Sequence, residues 1–182
     1  TPDAARAAVS EGKIAVLLSL EGAHGLGTDA DWQTMFMDLY SRGLRLIGLT
    51  WSMSNRFAGS SSDGGGGLTQ EGEALVALAR SKGVVLDVSH ASRATTLEVC
   101  TDSPVPVIAS HSNSAAITPH SRNLSDEEIR CIAKTGGVIG LNFHAPFVGT
   151  KANVSRLADH AEHMAQIGGF GVVALGSDFD GY

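Results

Sequence analysis

Cysteine is scarce: Cys100 and Cys131 are the only two in 182 residues. They cannot build the disulfide framework that staples small secreted domains, and one bridge is the most they allow. Each falls in a stretch patterned as a helix, at residues 95–100 and 126–134, so buried free thiols are the preferred reading. The redox compartment stays open. No apolar run approaches the roughly 20 residues needed to cross a bilayer, and residues 1–10 lack the charged-then-apolar pattern of a signal peptide. The sequence as written is expected to be soluble, with the cytoplasm slightly favoured. It starts without Met and ends at Gly181-Tyr182 just past an apolar run, so either end is readable as a truncation. Clustered basic charge is also lacking. The 13 Lys and Arg are scattered singly or in pairs and the net charge is −6, which makes nucleic acid an unexpected partner. No Gly-x-Gly-x-x-Gly turn follows a strand-like run, which speaks against a dinucleotide crevice. Gly64-Gly65-Gly66-Gly67 has no Lys at the spacing of a phosphate-binding loop. Residues 59–67 therefore read as a flexible loop over the strand ends, either a mobile lid or a plain disordered segment.

What is present, 43% hydrophobic and 18% charged residues, suits a single compact domain over 1–182, or part of a larger one. Six short apolar runs, at residues 14–20, 44–49, 84–88, 105–109, 137–143 and 172–175, alternate with amphipathic stretches at 31–42, 71–82, 92–100, 126–134 and 154–167. Gly43 and Gly83 supply left-handed helix stops, and Ser125 with Glu128 forms a capping box. This alternation predicts a parallel α/β sheet with right-handed crossovers. Glu21, Trp51, His90, His111 and Asp178 all come directly after apolar runs, at the strand ends where a (β/α)8 TIM-type barrel builds its site. The expected fold is that barrel, here as about six βα units, with two strands expected before Thr1.

The most informative pattern is a pair of runs ending in Ser-His: Val84-Val85-Leu86-Asp87-Val88-Ser89-His90 and Val105-Pro106-Val107-Ile108-Ala109-Ser110-His111. Counting by twos places Val84, Leu86, Val88 and His90 on one face, as it does Val105, Val107, Ala109 and His111. The same count groups Ala15, Leu17, Ser19 and Glu21, and Val172, Ala174, Gly176 and Asp178. Asp87 has the other parity and is expected to be a structural carboxylate meeting a helix backbone. Imidazoles from two adjacent strands and a carboxylate from a third form a ligand set for zinc or a related divalent ion. Two ions sharing a carboxylate would hold an acidified water, a nucleophile at neutral pH.

Ser19-Leu20-Glu21-Gly22-Ala23-His24, Leu49-Thr50, Asp87-Val88-Ser89-His90, Ser110-His111-Ser112, Ser121-Arg122-Asn123-Leu124 and Gly176-Ser177-Asp178-Phe179-Asp180-Gly181 together resemble the successive signatures of the membrane dipeptidase (renal dipeptidase) family, peptidase family M19. The resemblance spans nearly the whole chain, in the family's order. It implies a hydrolase with two Zn2+ ions that cleaves dipeptides, and in some members related amides, by a hydroxide bridging the metals. Carried over by position, Glu21 would bridge the metals and His90 and His111 would ligate the second. Arg122 would pair with a substrate carboxylate, for which its planar fork is suited. Asp178 would handle a proton or the substrate amine. Expected partners are a dipeptide and, as the oligomeric state to test, a second copy in a homodimer.

Three positions depart from the family pattern. The His-x-Asp pair that holds the first metal is absent, Trp51 stands where better-known members carry a His, and His144 occupies a place often filled by Tyr. Trp51 and His144 are accordingly candidate substrate contacts, and the chain as written holds at most half of a two-metal site. Blander roles are also open: a loop anchor for Arg122, a backbone cap for Asp178, and for His24 either support of the site or an exposed loop position. Asp180 reads as structural, His120 as a loop residue near Arg122, and His160 and His163 as surface residues of one helix face. Rival functions are another metal amidohydrolase, acting on N-acyl amino acids or cyclic amides, and a non-catalytic binding protein on the same barrel.

Overall fold

A computed structural model describes residues 1–28 and 31–179. Asp180 and Gly181, the end of the last signature, lie outside the described residues. All six expected strands are present, each trimmed: β1 (Leu18–Leu20), β2 (Leu44–Gly48), β3 (Val85–Asp87), β4 (Val107–Ile108), β5 (Ile139–Leu141) and β6 (Val173–Leu175). β1 to β4 pair in parallel in sequence order, as do β5 and β6. A parallel bridge between Ala109 and Ile139 links the two groups into one arc of a barrel wall. Ile47, Leu86 and Val107 stand in register across three strands and are fully buried. Burial of such side chains supplies roughly 1.5–3 kcal/mol each and fixes the register.

The helices α2 (Trp32–Ser41), α3 (Gln70–Lys82), α4 (Arg93–Cys100), α5 (Asp126–Lys134) and α7 (Val154–Gly168) match the amphipathic stretches within two residues. Gly83 ends α3 in the left-handed conformation, and both halves of the Ser125–Glu128 capping box form. Two helices were not expected from the sequence. α1 (Pro2–Ser10) buries none of its residues. α6 (Ala145–Val148) is a single turn after β5.

The arc stops at two edges. The predicted strand over residues 14–20 forms only at Leu18–Leu20, and Ile14 and Val16 are 90% and 79% exposed. At the other edge Leu175 is 79% exposed. Extended chain with no neighbour to bond has no ladder to stabilise it, which is why the first strand frays. Both cysteines are free; Cys100 is buried and Cys131 half-buried, and burial pushes the Cys100 thiol up. Among the described residues, no helix is long and apolar enough to cross a membrane.

The glycine-rich segment is tied down by hydrogen bonds to its neighbours. Asp63 accepts hydrogen bonds from Ser54 N and Ser54 Oγ, both at 2.7 Å, and these hold its carboxyl below the usual range. Ser92 Oγ donates to Gly66 O at 2.6 Å, and Glu98 accepts from Leu68 N at 2.6 Å. The glycines serve close approach: a Cβ at Gly59 would sit 1.9 Å from Gly66 O, and one at Gly65 would sit 2.0 Å from Ser54 Oγ.

His160 corrects the surface reading of α7. It is fully buried, accepting Ser114 N–H at Nδ1 (3.0 Å) and facing Val148 O from Nε2 (3.0 Å). His163 is half-buried against Asp126 Oδ1 at 2.7 Å. Burial holds His160 below its ordinary value of 6.5, so the unfolded chain takes up the proton first. Stability linked to this ring is therefore complete above about pH 6.5 and declines as pH falls below it. In urea unfolding of the full-length protein at pH 7.5, His160→Ala should lose about 1–3 kcal/mol for each backbone group left unpaired. The gap from wild type should narrow at pH 5.5. A constant gap would show that the ring is not buried neutral.

Candidate metal centre

Three strand ends bring the expected ligands together. Glu21 follows β1, His90 lies three residues past β3, and His111 three past β4. His90 Nε2 is 3.1 Å from Glu21 Oε1 and 2.9 Å from His111 Nε2, and His111 Nε2 is 3.4 Å from Glu21 Oε1. No other group of three or more His, Cys, Asp or Glu among the described residues is so placed. Zinc bonded to N and O at about 2.0–2.2 Å in a tetrahedral array sets its ligand atoms about 3.3 Å apart, so the three atoms fit one shared ion. The chain contains no His-x-Asp sequence, so the pair expected to hold a first metal is not among its residues.

The electrostatics suit a cation. Contact with His90 holds the Glu21 carboxyl below its usual range against the opposing effect of burial, and the charges of His111 and Arg122 add to it. Burial, then Arg122, lowers His111 and favours the neutral ring that a metal needs.

His90 sits in a left-handed backbone conformation, φ 67°, which costs a non-glycine residue on the order of 1–3 kcal/mol. The glycine-rich loop holds it there. Ser61 N donates to His90 O at 2.9 Å, and the single proton of Ser60 Oγ is shared between Trp51 O at 2.8 Å and His90 O at 3.2 Å. Asp87 is structural, as expected, but its partners are not a helix: Oδ1 accepts the N–H groups of Ser89 and Ser110, both at 2.9 Å.

The remaining candidates surround this cluster. Arg122 is buried, donates from Nη2 to His111 O at 3.2 Å and lies 5.5 Å over the Phe147 ring. His144 and His120 both pack on Phe147, with centroids 4.6 Å away, so His144 joins the Arg122 side rather than the Glu21 cluster. Trp51 is half-exposed with its ring 6.3 Å from that of His90. His24 is exposed in the single turn Ala23–Leu26. Asp178, also left-handed at φ 65°, accepts from Asn142 Nδ2 at 2.9 Å. Sequence reasoning overlooked Asn142 and its buried partner Asn113, whose Nδ2 donates to Asn142 O at 2.8 Å. The available signal was a polar Asn inside the apolar run 137–143, in the position after β5 that Glu21 occupies after β1.

The chain matches the membrane dipeptidase family, peptidase family M19, over residues 1–182, and it belongs to that family. Dipeptidase aclJ of Aspergillus oryzae is 36% identical over 94% of this chain and 42% of its own length. An uncharacterized dipeptidase of Schizosaccharomyces pombe, C965.12, is 35% identical over 98% of this chain and 44% of its own. A metallo peptidase from Rhodobacter sphaeroides, liganded with a phosphinate mimic of the dipeptide L-Ala-D-Ala, superposes with a TM-score of 0.88 at 32% identity. That superposition covers 100% of this chain and 54% of the other. The chain thus spans about half the length of the relatives it matches.

Proposed function

We propose that the full-length protein is a zinc-dependent dipeptidase and that residues 1–182 form part of its single barrel domain, with Glu21, His90 and His111 as metal ligands. The observation that carries the reading is the convergence of these three donor atoms within 2.9–3.4 Å, at strand ends of a chain that belongs to peptidase family M19. When bound, zinc supplies Lewis acidity that activates water at neutral pH. Glu21 and the two neutral imidazoles give that ion its ligands and, with one negative charge, leave it net positive. Asp178, held as an acceptor by the Asn142 amide, takes up a proton or binds the substrate amine. Arg122 pairs with the substrate carboxylate; its guanidinium is planar, permanently charged and oriented by His111 O and the Phe147 face. Trp51, beside His90, and His144, beside Phe147, contact the substrate. Trp51 offers an apolar surface and one N–H but no positive charge, so it differs in kind from a His at that place.

The Rhodobacter neighbour's dipeptide mimic supports a dipeptide as the substrate class. The test is a panel of L,L- and L,D-dipeptides, N-acyl amino acids and cyclic amides, assayed with the purified full-length protein before and after metal removal. Hydrolysis of dipeptides that is lost on chelation and restored by Zn2+ is expected. Turnover of N-acyl amino acids or cyclic amides alone would assign the protein to the other amidohydrolases. Absence of any turnover with zinc bound would favour a binding protein.

A further inference from the structure

Behind His111 lies a partly buried set of hydrogen bonds that the reaction as described does not use. Ser110 Oγ is 2.8 Å from His111 Nδ1 and donates to Ser89 Oγ at 3.3 Å. Ser89 Oγ is fixed in turn as the acceptor of the His111 backbone N–H at 3.0 Å. Beneath both, the buried Asp87 carboxylate binds the N–H groups of Ser89 and Ser110, so one side chain ties the end of β3 to the end of β4. A hydroxyl has a single proton. With the Ser110 proton directed at Ser89, oxygen lone pairs face His111 Nδ1, an arrangement that suits a neutral ring carrying its hydrogen on that nitrogen. The lone pair of Nε2 is then turned towards Glu21 and His90. Among the described residues His90 has no equivalent support, since its buried Nδ1 meets no hydrogen-bond partner there.

We infer that Ser110 is a positioning residue that accepts the Nδ1–H of His111 and locks the ring in the tautomer whose Nε2 is free to bind a divalent cation. This rests on the reading of Glu21, His90 and His111 as metal ligands. A ligating histidine generally gives its second N–H to an oxygen acceptor, and loss of that acceptor weakens metal binding about 10–100-fold. The arrangement also divides labour between the two imidazoles: His111 is preset by its own strand end, whereas His90 is held through its backbone by the loop bearing Ser60 and Ser61.

The experiment measures Zn2+ affinity by competition with a chromophoric chelator for full-length wild type, Ser110→Ala, Ser110→Thr and His111→Ala. It is joined by thermal midpoints of the metal-free forms and by 15N spectra of histidine-labelled wild type. Ser110→Ala should bind Zn2+ about 10–100-fold more weakly while its metal-free midpoint moves by only about 2–4 °C. Ser110→Thr, which keeps the hydroxyl, should recover most of the affinity. The spectra should show His111 protonated at Nδ1. Wild-type affinity in Ser110→Ala with lost affinity in His111→Ala would overturn the inference and leave the metal site standing. Wild-type affinity in both would remove the metal reading itself. A His111 ring protonated at Nε2, or no recovery with Thr, would assign Ser110 to packing alone and overturn the inference.

Discussion

Glu21→Gln in the full-length protein should abolish stoichiometric zinc and lower kcat/KM for dipeptides by more than about 10³-fold, equivalent to roughly 4 kcal/mol of transition-state stabilisation. The side chain is half-exposed and the amide is isosteric with the carboxylate, so the protein should fold and its metal-free thermal midpoint should stay near wild type. What the substitution removes is the one negative charge that meets both imidazoles, at 3.1 Å from His90 and 3.4 Å from His111. Two neutral rings alone bind a divalent ion far less tightly, because no charge offsets the cost of dehydrating it. Metal content by atomic emission after gel filtration, read beside turnover, checks the expectation. Full zinc occupancy in this variant would take Glu21 out of the ligand set.

Asp178→Asn should act differently: zinc stays bound and kcat falls about 10²–10⁴-fold, the usual contribution of a placed acid or base. The backbone is an informative control here. Asp178 is left-handed at φ 65°, a conformation that Asn also tolerates, so the substitution tests the carboxylate and not the turn. The amide must also turn its oxygen towards Asn142 Nδ2, because two NH2 groups cannot share that 2.9 Å contact. Wild-type kcat with dipeptides would reduce Asp178 to a cap beyond its strand. A parallel loss of zinc would instead make it a ligand.

Much of this arrangement was legible in the sequence because strand periodicity is strict. A strand turns successive side chains to opposite faces, so apolar runs ending in Ser-His fix which face carries the imidazole once one face is buried. His90, His111 and Glu21 were found by that count, and the capping box at Ser125–Glu128 by local spacing. His160 was misread for the complementary reason. It stands between Asp159 and Ala161 on a helix with charged neighbours, and contacts with Ser114 and Val148, 46 and 12 residues away, hold it as a buried ring. The packing of the glycine-rich loop was not legible because glycine permits flexibility and close approach alike. Contacts such as that of Asp63 with Ser54 select the second.

The alternation of strands and helices and the residue types at the strand ends were readable from the chain, because they follow from periodicity, capping and local order, and the order of its short motifs carried the family resemblance. Tertiary structure alone decided that Glu21 and His90, 69 residues apart, meet at 3.1 Å, that Ser60 braces the left-handed turn of His90, and that Asn142 holds Asp178. Each of these contacts forms only when strand ends distant in sequence are aligned by a packed sheet, and no local preference of the chain encodes a distance between them.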